Sequence, residues 1–176
     1  MLTLLESRLS VAAILVALVV GLVSQQAAAG TFPSWDSQFN GPARFVVLNQ
    51  FGGAAVLDKE TGLVWEQSPS TSTFTWEAAQ FRCNPLTTGN RLGWRIPTIQ
   101  ELASLVDPTQ SNPTLPSGHP FSSVQSSPYW SATAFAGDTN GAWELNFLNG
   151  SMGLESKDGF HNFVWCVRGG QGVDLQ

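Results

Sequence analysis

Cys83 and Cys166 are the only two cysteines in the 176-residue chain. Joined, they would tie together points about 80 residues apart and bring the middle of the chain back against its end. On a chain-entropy argument such a closure is worth roughly 4 to 5 kcal/mol. Whether they join depends on the redox compartment, and the N-terminus speaks to that. "MLTLLESRLS" carries Arg8, the apolar run Val11–Val23 follows, and Ala27-Ala28-Ala29 forms a small-x-small site. This pattern predicts a secretory signal peptide, residues 1–29, cut after Ala29. The alternative is an uncleaved anchor, but the run is shorter than the roughly 20 apolar residues that span a bilayer. No cysteine precedes Cys83, so a lipid-modified N-terminal cysteine is excluded. An exported chain with two cysteines is expected to form one disulfide, the alternative being two buried free thiols.

Removing residues 1–29 takes away Arg8 and Glu6 and leaves the net charge at −5. That sign opposes the phosphate neutralisation on which nucleic-acid binding rests, and it also argues against polyanionic partners. After cleavage no membrane span is expected. The rest of the chain is long enough to bury a core.

Residues 30–43 read as a linker or N-terminal arm and 171–176 as a tail, leaving one domain over 44–170. "RFVVL" (44–48) predicts a strand. In "AAVLDKETGLVWEQ" (54–67) two apolar runs flank a turn closed by Gly62, which marks a hairpin. "TWEAAQFRC" (75–83) predicts a helix with Thr75 as N-cap and Glu77 in the first turn. Trp76, Ala79 and Cys83 then share one face. In "WRIPTIQEL" (94–102), Thr98 and Glu101 form a T-x-x-E capping box, and Pro97 holds Ile96 extended ahead of it. The helix is expected to stop at Asp107-Pro108. Trp94 and Arg95 read as a structural joint, with the indole in the core and the guanidinium on a carboxylate or carbonyls.

Residues 107–128 form a polar loop with Pro108, Pro113, Pro116, Pro120 and Pro128. A meander of about four strands is expected after it: 129–135, 142–147, 151–156 and 160–168. Turns at Asp138–Gly141, Asn149-Gly150 and Lys157–Gly159 separate them. Trp143, Leu145 and Phe147 alternate onto one face. The class is α+β: two short helices on a small, twisted, mostly antiparallel sheet, with one disulfide from the first helix to the last strand.

Taken in order, "VLDKETGLVWEQ", "TWEAAQFRC", "WRIPTIQEL", "YWSAT", "AWELNF" and "VWCVRGG" resemble the Lcl C-terminal domain family, bacterial exported domains named after the end of a collagen-like adhesin. The resemblance covers about 45–170. It implies a C-type-lectin-like fold, related also to formylglycine-generating-enzyme-like domains. C-type lectins carry a disulfide between first helix and last strand, in agreement with Cys83 and Cys166. Family resemblance speaks to fold more securely than to function.

The residues themselves point away from catalysis. Formylglycine-type oxidation needs cysteines beyond a structural bridge. His119 and His161 sit in no nucleophile motif. Glu144, Glu155 and Asp158 fall in adjacent strands and turns, yet nothing singles them out for glycoside cleavage. No catalytic residue and no resident cofactor is expected. Asp138, Asn140, Glu144, Asn146 and Asn149 offer hard oxygens suited to calcium, with Asp138, Asn140 and Glu144 the metal candidates. Turn chemistry explains the same residues. Trp65, Trp76, Trp94, Trp130, Trp143 and Trp165 are expected in or beside the core, with Trp143 the first candidate for an exposed platform. The expected function is an exported, non-enzymatic recognition or adhesion domain, in the periplasm, on the cell surface or secreted. Its partner would be a glycan or protein surface, met by the loops 138–141, 149–151 and 157–162 through Asp138, Asn140, Trp143, Glu144, Asn146 and Asn149. The alternative is a structural component of an envelope or surface complex.

Overall fold

Where the chain reverses is set by side chains that imitate backbone. The computed structural model describes residues 41–169, so the expected signal segment, most of the arm and the tail lie outside the described residues. A one-turn helix, α1 (Gly41–Arg44), leads into β1 (Phe45–Val47), so the arm expected through residue 43 ends in a helical turn. β2 (Ala55–Asp58) and β3 (Val64–Glu66) form the expected hairpin. Its turn is built on Asp58, which accepts from the Glu60 amide and the Thr61 hydroxyl. Gly62 supplies the positive φ of 72°. Arg44 grips the same buried carboxylate at 2.8 and 2.6 Å, so a charge removed from water keeps its partners.

α2 (Trp76–Cys83) is capped by Thr75, whose side chain accepts from the Ala78 amide. α3 (Ile99–Ser104) has the full capping box: the Glu101 amide donates to Thr98 Oγ1, and Glu101 Oε2 accepts from the Thr98 amide. Ahead of it, Trp94–Arg95, expected only as a joint, is itself a two-residue strand, β4. That joint is present too. Trp94 is 2% exposed, and the Arg95 guanidinium reaches the Glu101 carboxylate and the Gly169 carbonyl. α3 ends at Ser104, before the expected stop at 107.

The strands divide into two antiparallel sheets rather than the one small sheet expected. The first has the order β1-β2-β3-β8-β4, with β8 at Val167–Arg168. The second is a three-stranded meander of β5 (Pro128–Ala134), β6 (Gly141–Asn146) and β7 (Ser151–Ser156). The meander therefore lacks its expected fourth strand, and only the end of 160–168 enters a ladder. The reason is visible in its burial: Val164, Trp165, Cys166 and Val167 are all buried, so the segment has no solvent face. It threads between the sheets, bridging Phe74 through Asn162 and Tyr129 through Phe163.

The described core has two parts. One centres on Trp165, whose ring lies 4.8 Å from Phe121, 5.5 Å from Trp65 and 5.6 Å from Phe147. The Trp65 and Phe121 pairs are edge-to-face, an arrangement that adds to burial itself. The other holds Ala79, Cys83, Trp94, Trp130, Ala142 and Cys166. The Cys83–Cys166 disulfide lies within it and joins the end of α2 to the residue before β8. Leu115 and Phe121 pin the proline-rich loop into the first part.

Candidate functional site

α2 buries Ala79 and Cys83 and turns its other side outward. Glu77 and Phe81 are exposed there, and Phe81 keeps 68% of its surface in water. Trp76 is half-buried, and its indole N–H donates to the Ser131 carbonyl at 2.8 Å. Facing this helix are two turns fastened to one another. The Lys157 amide donates to the Asn140 carbonyl at 2.8 Å, and Asn140 Nδ2 donates to Ser156 Oγ at 3.0 Å. Lys157 Nζ donates to the Thr139 carbonyl at 2.8 Å and stands 4.4 Å from the centre of the Trp76 ring. Helix and turns enclose an open cleft of about 400 Å³. Trp76, Glu77, Gln80, Phe81 and Asn84 form one wall, and Asn140, Lys157 and Asp158 the other.

The expected site residues do not all meet here. Asp138 and Asn140 lie in the turn before β6, while Asn146 and Asn149 lie at and beyond its far end. Six strand residues separate the two turns, about 20 Å at the usual rise. Thus the 138–141 and 157–158 turns converge, and 149–151 belongs to the opposite end of the sheet. Asp138, Asn146 and Asn149 each serve their own turn, while the Asn140 side chain ties its turn to Ser156. Asp138 accepts from the Asn140 amide, Asn146 from the Leu148 amide, and Asn149 from the Ser151 amide and hydroxyl.

Trp143 and Glu144 alternate onto opposite faces of β6. Trp143 is half-buried against Phe135, with ring centres 6.2 Å apart. Glu144 is 7% exposed, packed between Trp130 and Gly153 in register, and its Oε2 has no hydrogen-bond partner among the described residues. Burial first, and the neighbouring Glu155 charge second, push its carboxyl up to about 7. Of the three calcium candidates, Glu144 therefore points into the sheet's packed face, about 10 Å along the strand from the Asp138–Asn140 turn.

Behind the cleft, Arg82 closes α2 onto the disulfide. Its guanidinium donates to Cys166 Sγ and to Glu66 Oε1, both at 2.8 Å. Glu66 Oε2 accepts from the Cys166 amide. Burial raises the Glu66 pKa, and Arg82 opposes that rise. Among the described residues no three metal-ligating side chains cluster, and no helix is long and apolar enough to cross a membrane. His119 spends Nδ1 on the Phe121 amide, and His161 is exposed.

Sequence reasoning missed the α2 wall. One signal was present: a helix that buries Ala79 and Cys83 has no inward position for Phe81, so a phenylalanine there faces solvent.

An α+β domain of two antiparallel sheets, closed by one disulfide and presenting a cleft between a helix and two linked turns, is the class these features define. The chain belongs to the Lcl C-terminal domain family, whose family model matches residues 54–168. No curated protein matches it.

Proposed function

We propose that this chain is an exported, non-enzymatic recognition domain that binds a glycan or protein surface, and that the cleft between α2 and the 138–141 and 157–158 turns is where it does so. The scaffold is read as C-type-lectin-like. One observation carries the reading. Three segments distant in sequence converge on one concave surface that holds an exposed aromatic ring, amides and charged groups, and a concavity with convergent polar groups beside aromatic ones is a candidate binding site. The turns are fixed by hydrogen bonds to one another and the helix by a cap, so little ordering remains to be done on binding. Both cysteines are occupied in the bridge, which fits an oxidising, extracytoplasmic location. The test applies labelled protein to immobilised glycans and purified surface proteins, in calcium and again in EDTA. The reading expects binding that persists in EDTA and falls at least tenfold in Phe81→Ala. Binding that Phe81→Ala leaves unchanged would move the site elsewhere.

An assembly role is favoured by a different surface. β7 is an edge strand of its sheet, and Met152 and Leu154 on it are 52% and 41% exposed, with Leu148 nearby in sequence at 46%. Apolar edge strands invite pairing with another chain. Met152→Lys with Leu154→Lys would dissolve a complex built on this edge and leave cleft binding intact.

A further inference from the structure

The cleft's chemistry narrows the ligand, an inference that rests on the recognition reading above. Phe81 offers an open ring face, because 68% of it is exposed and no aromatic partner covers it among the described residues. Gln80, Asn84 and Asn140 line the same cleft and carry neutral amides, each offering both donors and an acceptor. Asn84 and Asn140 are exposed and Gln80 half-buried.

The charged groups decide against a polyanion. Among the described residues Lys157 is the cleft's single cation, and it is committed twice, to the Thr139 carbonyl and over the Trp76 ring. Glu77 and Asp158 put two carboxylates on the walls. A sulfated or carboxylated chain would meet net negative charge and, among the described lining residues, no uncommitted cation. The whole chain, at −5, repeats that sign. A polycation would find two exposed carboxylates among the described lining residues, and an ammonium in the same cleft. A ligand rich in hydroxyls and without charge meets no such penalty. Its hydroxyls can donate to carboxylates and amide oxygens and accept from amide N–H groups, and its C–H faces can lie on Phe81.

We propose that the cleft binds an uncharged glycan, through stacking on Phe81 and hydrogen bonds to Gln80, Asn84 and Asn140. The volume of about 400 Å³ falls within the range of small-ligand sites. Because no ion pair is formed, binding should respond little to salt, unlike association driven by charge. Stacking also makes Trp76 a reporter, since it lines the same cleft.

The experiment titrates the purified protein with a panel of neutral oligosaccharides and with heparin, following tryptophan fluorescence at low and at high salt. Wild type, Phe81→Ala and Gln80→Ala are compared; neither side chain is fully buried, so both variants should fold, as circular dichroism would check. The proposal expects a neutral oligosaccharide to bind within twofold of the same affinity at both salts, and at least tenfold more weakly in Phe81→Ala. Heparin binding that is lost in Phe81→Ala and at high salt would overturn the ligand class yet leave the recognition site standing. Oligosaccharide binding indifferent to both variants would overturn the site as well. No binding by any neutral member would overturn the proposal, and a protein ligand whose binding still fell in Phe81→Ala would keep the broader reading alone.

Discussion

Arg95 and Glu101 meet in a two-pronged ion pair, Nη1 to Oε2 at 2.7 Å and Nη2 to Oε1 at 2.6 Å. The same Oε2 accepts from the Thr98 amide. Glu101 thus caps α3 and holds the guanidinium that reaches Gly169. The two roles are separable. Glu101→Gln keeps a side chain suited to the capping box and loses the charge. Glu101→Ala loses both. A partly exposed ion pair contributes about 1 kcal/mol or less, and a cap roughly 1 kcal/mol. Urea unfolding should therefore place Glu101→Ala about 1 to 2 kcal/mol below wild type, with Glu101→Gln between them. Equal losses would deny the cap its share.

The disulfide spans a sequence separation of 83. Replacing both Cys83 and Cys166 with serine should cost roughly 4 to 5 kcal/mol on the loop-closure relation. The cleft wall α2 ends at Cys83, so hydrogen exchange should show α2 losing protection before β6. A cost below about 1 kcal/mol, with α2 still protected, would mean that Arg82 and packing hold the helix unaided.

Glu144 makes stability depend on pH, and the sign follows from its environment. Its carboxyl ordinarily titrates near 4.5 and in the fold near 7, so the fold favours the protonated form. The contribution is complete below about 4.5 and is lost as pH rises through about 7. Thermal unfolding should show Tm falling between pH 5 and pH 8, by an amount corresponding to no more than about 3 kcal/mol. Glu66, also raised, acts in the same direction, while half-buried His119, whose pKa is lowered by burial, acts oppositely. Comparison with Glu144→Gln isolates the effect: the variant should flatten the profile. An unchanged slope would place Glu144 in water.

Gly153 gives Glu144 its room. A Cβ at 153 would collide with Glu144 Oε1. Gly153→Ala should displace the end of that flexible side chain toward solvent, with little loss of stability of its own, and remove the same pH dependence. Retention of the pH slope in Gly153→Ala would show that the carboxylate stays buried by another route.

Local signals in the sequence gave the local structure. Thr75, Thr98 and Glu101 mark helix starts by side chains that satisfy specific amides, and Gly62 marks a turn that needs a positive φ. Those devices act within a few residues, so they can be read there. The division into two sheets could not. It depends on Val164–Val167 being buried on all sides, a property of what lies around the segment. The cleft was half-legible for the same reason. Asp138–Gly141 and Lys157–Gly159 announce turns, but only strand pairing shows that they face each other, that Asn149 does not join them, and that α2 supplies the opposite wall.

The central claim is that recognition happens in the cleft, and amide chemical-shift mapping tests it most directly. With the strongest-binding immobilised ligand added in solution, the account predicts that the largest shifts fall on the Trp76 indole N–H and on the amides of Gln80, Phe81, Asn140 and Lys157. The opposite end of β6 should stay silent, and the roughly 20 Å between the ends makes the two patterns distinct. Shifts centred instead on Asn149–Ser151 or on the β7 edge, with Trp76 unmoved, would contradict it.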